Sequence, residues 1–340
     1  MKSGRNTTAG VLPSIVVLGT GGTIAGAADS RTHYAGYRAA VTGVDELLAA
    51  VPMLSDVARL HAEQVAQVAS QNLGAAVLLP LARRINTWLE QPDCDGAVVM
   101  LGTNTLEETA YFLNLVVKSR KPVVVTGAMR PATSLSADGP MNLYRAVVAA
   151  ASPQAAGLGV LVVMNDQVIA ARDVHKTDTM TVDSFKAPVF GILGWVVDDR
   201  LQVYKRPARC HTADTEFDVS QLDALPRVDI VMGHQDDGRE AFDALVAAGA
   251  RGIVVAGPGT AALSDVLAAA ARDAAGQGVV VVRSPRSATG IVLRNMEFDD
   301  DANGTCAGDT LTPAKSRVLL ALALAHGADA AGVQAAFGRY

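Results

Sequence analysis

A chain of 340 residues, half of them hydrophobic, is long enough for two domains that each bury a core, and too apolar to stay disordered. Its formal net charge of −5 and lack of any basic run exclude phosphate-backbone recognition, so no nucleic acid partner is expected. No stretch reaches the roughly 20 apolar residues that span a bilayer, so no membrane partner is expected. Cys94, Cys210 and Cys306 offer neither a metal spacing nor a disulfide framework.

Lys2 and Arg5 precede an apolar stretch, 11–18, that contains Pro13 and runs into a glycine-rich turn. It reads as a first strand over 15–18 rather than a signal peptide. A leader removed upstream is the alternative. The turn is Gly19-Thr20-Gly21-Gly22-Thr23-Ile24-Ala25-Gly26. A dinucleotide cradle would want glycine where Ile24 stands, and no Gly-Lys-Ser/Thr phosphate loop follows. A plain tight turn explains the glycines but not the two threonines, whose hydroxyls are candidate nucleophiles if a neighbour accepts their proton.

Further along, 74–90 carries apolar residues at helical spacing (Val77, Leu78, Leu81, Ile85, Leu89) and predicts an amphipathic helix. Unbroken apolar runs at 97–101, 123–126 and 160–164 predict strands covered on both faces, hence an α/β layer with a mainly parallel sheet flanked by helices. After the run at 97–101, Thr103 or Asn104 is expected to cap a helix whose first turn holds Glu107 and Glu108. Met164-Asn165-Asp166-Gln167 reads as a hairpin turn. Lys176 sits in a polar loop that by itself assigns it no role. In parallel α/β sheets functional groups gather beyond the carboxyl ends of the strands. That rule points to 19–26, Ser70 with Gln71, 102–105, and the surroundings of Lys176.

Beyond Trp195 the pattern weakens, and 200–226 is polar and broken by Pro207 and Pro226. The chain is divided into a larger domain over 1–204, a linker over 205–226 and a smaller, flavodoxin-like α/β domain over 227–340. In the last, strands are expected at 228–232, 252–256 and 279–283, and helices near 239–248, 262–275 and 313–325.

Taken together, Thr20 to Gly26, Ala69-Ser70-Gln71, Gly102-Thr103 with Glu107 to Leu113, Gly127 to Pro131, Ser136 to Pro140 and Val163 to Asp166 resemble the bacterial L-asparaginases of the threonine type, type II branch most closely. The resemblance implies that Thr23 is the nucleophile and that Tyr37, on a mobile lid over 24–42, helps activate it. It implies that Thr103 and Lys176 form a second constellation, that Gly22 and Gly102 belong to the site, and that Ser70 and Gln71 hold the substrate's α-carboxylate. Glu297 would reach into a neighbouring subunit's site, in a homotetramer of tight dimers. The same resemblance implies a small amide substrate and no metal or organic cofactor.

Two positions depart from the family pattern. The family normally has His-Gly-Thr-Asp-Thr where this chain reads Leu101-Gly102-Thr103-Asn104-Thr105, so Asn104 replaces the aspartate that binds the substrate's α-ammonium group. An amide accepts a hydrogen bond but cannot neutralise the charge, a loss worth roughly 1–3 kcal/mol, on the order of tenfold in binding. Thr260 stands where an asparagine is common at the same end of the site. The expectation is a pocket favouring an α-hydroxy, deaminated or N-acylated relative of asparagine or glutamine. The alternatives are an ordinary asparaginase carrying an inactivating change, and a turnover-deficient binding or sensory protein. Periplasmic members carry a disulfide from the region of Cys94 to the place held here by Ser119. Its loss points to a reducing compartment, the cytoplasm, with the periplasm as the alternative.

Overall fold

The computed structural model describes residues 11–32, 36–38 and 40–340. The chain opens with β1 (Ser14–Gly19), buried along its whole length, then α1 (Val44–Ala49) and β2 (Arg59–Gln64). Helices and strands then alternate: α2 (Ala75–Glu90), β3 (Gly96–Met100), α3 (Leu106–Val116), β4 (Val123–Thr126), α4 (Gly139–Ala150) and β5 (Val160–Met164). The chain turns back through β6 (Gln167–Ala170), a small antiparallel pair β7 (His175–Lys176) and β8 (Phe185–Lys186), then β9 (Gly194–Val197) and β10 (Arg200–Val203).

The large sheet has eight strands in the order β10-β9-β6-β5-β4-β3-β1-β2. From β5 to β2 neighbours run parallel, whereas β6, β9 and β10 are antiparallel additions. Strands β1, β3, β4 and β5 are wholly buried because their side chains alternate between two apolar layers. Val16, Leu18, Val99 and Val125 meet α2 and α3, while Ile15, Val17, Val98 and Val124 meet α4. The expected hairpin between β5 and β6 turns on Asn165 and Asp166, with φ of 48° and 63°, the left-handed pair that two-residue hairpins require.

The polar stretch 200–226 is not all connector. Arg200–Val203 is a strand whose Leu201 faces the core, and Phe217 and Val219 further on are buried too. The second sheet follows: β11 (Val228–Met232), α5 (Glu240–Ala247), β12 (Gly252–Gly257), α6 (Asp265–Gly276), β13 (Val280–Pro285), α7 (Asp300–Asn303), β14 (Thr305–Ala307), α8 (Pro313–Ala325) and α9 (Ala330–Arg339). Its four strands are parallel and lie in chain order. α5 and α6 cover one face. On the other, α8 and α9 join the apolar layer that already holds α2 and α3, so α8 packs against α3 as well as against its own sheet.

Candidate active site

Two loops at the carboxyl ends of neighbouring strands meet backbone to backbone. Gly22 has φ of 88°, and a methyl group on it would lie 2.1 Å from the amide nitrogen of Gly102, so only glycine fits. The contact brings the residues that follow, Thr23 and Thr103, to one place. Both are buried, at 5% and 4% exposure. Thr23 begins a 3-10 turn over Thr23–Ala25, and its Oγ1 lies 2.7 Å from the Tyr37 hydroxyl. Tyr37 is held on a returning strand segment by the bridge between Ala27 and Arg38 and by Ala40 N–H donating to Gly22 O. His33, Tyr34, Ala35 and Ala39 of the expected lid lie outside the described residues.

Capping is where the structure corrects the sequence reading. The N-cap of α3 is Thr105, with no side-chain cap hydrogen bond, and neither Thr103 nor Asn104 caps the helix. Their side chains are engaged elsewhere. Lys176 Nζ donates to Thr103 Oγ1 at 3.0 Å and to Asn104 Oδ1 at 3.4 Å, and Asn104 Nδ2 donates to Gln71 Oε1 at 3.1 Å. Ser70 is tied to the same loop, its Oγ accepting from Asn104 N–H at 3.1 Å and its carbonyl accepting from Thr105 Oγ1 at 2.7 Å. As an acceptor in that bond, the Ser70 hydroxyl keeps its own O–H free to donate a hydrogen bond to an acceptor such as a carboxylate.

Lys176 lies on β7, and burial lowers its pKa from the ordinary 10.5 while Glu107 and Asp178 pull the other way. Glu107, in the first turn of α3, accepts from His175 Nδ1 at 2.7 Å and from the Lys176 backbone N–H at 3.1 Å. Burial works to raise the Glu107 pKa, but His175 and Lys315 outweigh it and the carboxyl stays below its usual range. Sequence reasoning gave Glu107 only a helix-dipole role and gave His175 and Lys315 none. The one local signal was a lysine on the apolar stripe of α8, spaced with Val318, Leu319 and Leu322.

Glu297 is not drawn into this cluster. It lies exposed in the second domain, where it accepts a hydrogen bond from Thr260 Oγ1, and among the described residues no hydrogen bond or ion pair joins it to Thr23, Thr103 or Lys176. Beneath it Arg283 and Asp300, at 1% and 0% side-chain exposure, form a buried ion pair. Arg283 also donates to the carbonyls of Thr260 and Ala261, at 3.1 Å each, which fixes the loop carrying Thr260. Among the described residues no group of three or more His, Cys, Asp or Glu is placed to hold a metal. No described helix is long and apolar enough to cross a membrane.

The model of the asparaginase N-terminal domain matches residues 14–209, and that of the glutaminase/asparaginase C-terminal domain matches 227–337. The chain belongs to the asparaginase family. This asparaginase-family amidohydrolase is 50% identical to L-asparaginase 2 of Bacillus subtilis (strain 168), over 97% of this chain and 87% of the relative. It is 48% identical to L-asparaginase 2 of Escherichia coli (strain K12), over 97% and 94%, and 44% identical to the glutaminase-asparaginase of Pseudomonas fluorescens biotype A, over 97% and 91%. The crystal structure of a probable cytoplasmic L-asparaginase from Campylobacter jejuni superposes with a TM-score of 0.93 at 42% identity, covering 96% of this chain and all of that one.

Proposed function

We propose that this protein hydrolyses the side-chain carboxamide of asparagine, or of a related small monoamide, to a carboxylate and ammonia through a transient ester on Thr23. The observation that carries the reading is the pairing of two buried threonine hydroxyls on touching loops, one facing a tyrosine and the other a lysine. A carboxamide has a poor leaving group, so dividing its hydrolysis into acylation and deacylation lowers each barrier. Thr23 Oγ1 adds to the carboxamide carbon as its proton leaves toward Tyr37. Backbone N–H groups of the glycine loops hold the oxyanion. The C–N bond then breaks, and the nitrogen takes up a proton and departs as ammonia. Water adds to the ester, its proton passing toward the Thr103–Lys176 pair, and the carboxylate is released. Lys176 accepts a proton only when neutral, a form that its burial favours.

Ser70 and Gln71 are assigned to the α-carboxylate. Asn104 and Thr260 weaken the hold on an α-ammonium group, so the pocket suits a neutral or substituted α-position. Glu297 of a second copy completes the site in a homotetramer. We place the enzyme in the cytoplasm, where the free, buried Cys94 needs no partner. A relative from Haemophilus influenzae is named a probable periplasmic L-asparaginase, so a compartment measurement is informative.

The test is ammonia release from asparagine, glutamine, succinamate, malamate and N-acetylasparagine, by the native chain and by Thr23→Ala. Turnover that depends on Thr23, with the acyl group trapped there, supports the reading. Undiminished turnover in Thr23→Ala, or no release from any amide alongside tight binding of one, refutes it.

A further inference from the structure

We propose that Lys315, reaching across from the second domain on α8, is a positioning residue for Lys176. The inference rests on the role given to Lys176 above and extends it to the device that holds the lysine in place. Lys315 is 1% exposed, and its Nζ donates to the carbonyls of Arg172, at 2.7 Å, and of Val174. Both carbonyls belong to the stretch between β6 and β7 that leads directly into Lys176. The grip is mutual. The Arg172 guanidinium reaches back into the second domain, donating to Tyr340 O at 2.7 Å, Thr310 Oγ1 at 2.9 Å and Asp309 Oδ2 at 2.8 Å. On the opposite side, the Glu107 carboxylate from α3 holds the Lys176 N–H and the His175 ring. The backbone entering Lys176 is thus fixed from two helices of different domains, and its Nζ arrives 3.0 Å from Thr103 Oγ1.

Packing alone does not call for a lysine at this position. The neighbouring buried positions of α8 are Val318, Leu319 and Leu322, and an ammonium group taken out of water is unfavourable unless carbonyls or carboxylates receive it. Lys315 also acts electrostatically. The groups facing Lys176 are Thr103 and Asn104 from the β3–α3 connection, Glu107 from the first turn of α3, Asp178 from the β7–β8 turn, and His175 on its own strand. Opposite it on β8 stands Phe185, and the adjacent Lys186, which faces His175, is paired with Asp183. Lys315 and Asp173 lie behind Glu107. Burial pushes the Lys315 pKa down to about 8, with Glu107 and Asp173 opposing, so it carries charge at neutral pH. That charge offsets the field of Glu107, which otherwise favours the ammonium form of Lys176.

The test uses the full chain with Lys315→Met, Lys315→Arg and Glu107→Gln. Two readouts are taken: the pH profile of ammonia release from the best amide, and the pH dependence of Lys176 acylation by acetic anhydride, located by peptide mass spectrometry. The second readout needs no turnover. In Lys315→Met, kcat is expected to fall about tenfold at pH 7, with KM changed less than about threefold, and Lys176 to titrate higher by about half a pH unit or more. Glu107→Gln moves the titration down, and Lys315→Arg keeps it near the native position. Opposite shifts in the two charge-removing variants are what a merely structural role does not produce. Unchanged Lys176 titration in Lys315→Met, or shifts of the same sign in Lys315→Met and Glu107→Gln, overturn the inference. If Lys315→Met fails to fold, Glu107→Gln and Lys315→Arg decide. A native chain without amidase activity, but with Lys176 reactivity shifted as stated, would sink the functional reading and leave the positioning role standing.

Discussion

Restoring a carboxylate at position 104 perturbs the site at its most altered point, and the structure sets the scale of the response. In Asn104→Asp the new carboxylate oxygen occupies the place of Asn104 Oδ1, 3.4 Å from Lys176 Nζ. Two unit charges at that separation attract by about 5 kcal/mol at an effective dielectric of 20. Asn104 is exposed, so solvent screening brings the figure to about 1 kcal/mol. That is roughly one unit in the pKa of Lys176, upward, because the added negative charge favours the ammonium form. The Gln71 amide, whose Oε1 now accepts from Asn104 Nδ2, would turn so that its NH2 group meets the carboxylate. The same charge receives the α-ammonium group of asparagine, worth a further 1–3 kcal/mol, or about tenfold or more in KM. The expected outcome is therefore split. KM for asparagine falls about tenfold or more, KM for succinamate does not fall, and the ascending limb of the pH profile for both moves up by about one unit. Ammonia release over a series of pH values measures all three. Equal KM changes for asparagine and succinamate, or an unmoved limb, would show that the charge at position 104 does not govern the amino-group end.

Three other outcomes follow from the geometry. Gly22→Ala should reduce turnover about 100-fold or more and lower the melting temperature, since its methyl group would meet the Gly102 nitrogen at 2.1 Å and a shift of even 1 Å separates the reacting groups; kinetics and calorimetry on one preparation check both. Arg283→Met leaves Asp300 buried without its partner and should lose about 3–5 kcal/mol of stability in denaturant unfolding, whereas a loss below about 1 kcal/mol would contradict the buried pair. In the native chain, activity should rise with pH along a limb below the ordinary lysine value of 10.5, because burial lowers the Lys176 pKa and the neutral amine accumulates earlier. A limb at or above that value argues against Lys176 as the proton acceptor.

The parts of the fold that were legible in sequence are those whose burial is complete. Strands β1, β3, β4 and β5 sit between two helical layers, so every position is apolar and each run stands out without alternation. β2 escapes notice because it lies at the sheet edge, where Arg59, His61 and Glu63 need no apolar substitute. β9 and β10 are covered on one face only, and their outward Trp195, Val197, Arg200 and Gln202 blur into loop composition. In the site, Thr23 was visible because a glycine turn does not require a threonine, whereas Thr20 of the same turn is fully buried and its hydroxyl donates to the Met100 carbonyl. Lys176 entered only through resemblance, since its partners lie 72 and 73 residues away along the chain. The capping expectation failed because a helix start offers both Thr103 and Asn104 a local acceptor role, and only tertiary contacts reveal that Lys176 and Gln71 claim them first.

That α8 belongs to two cores at once has a bearing on how the protein is made. A nascent chain that has emerged only as far as β14 already holds both threonines, Tyr37 and Lys176, yet the helix against which α3 must rest has not been synthesised. Such a fragment leaves an apolar flank open to water, and contacts spanning so much of the chain form slowly. The joint between the two sheets is therefore expected to form late, after the threonine, tyrosine and lysine groups are present but while they are still unbraced.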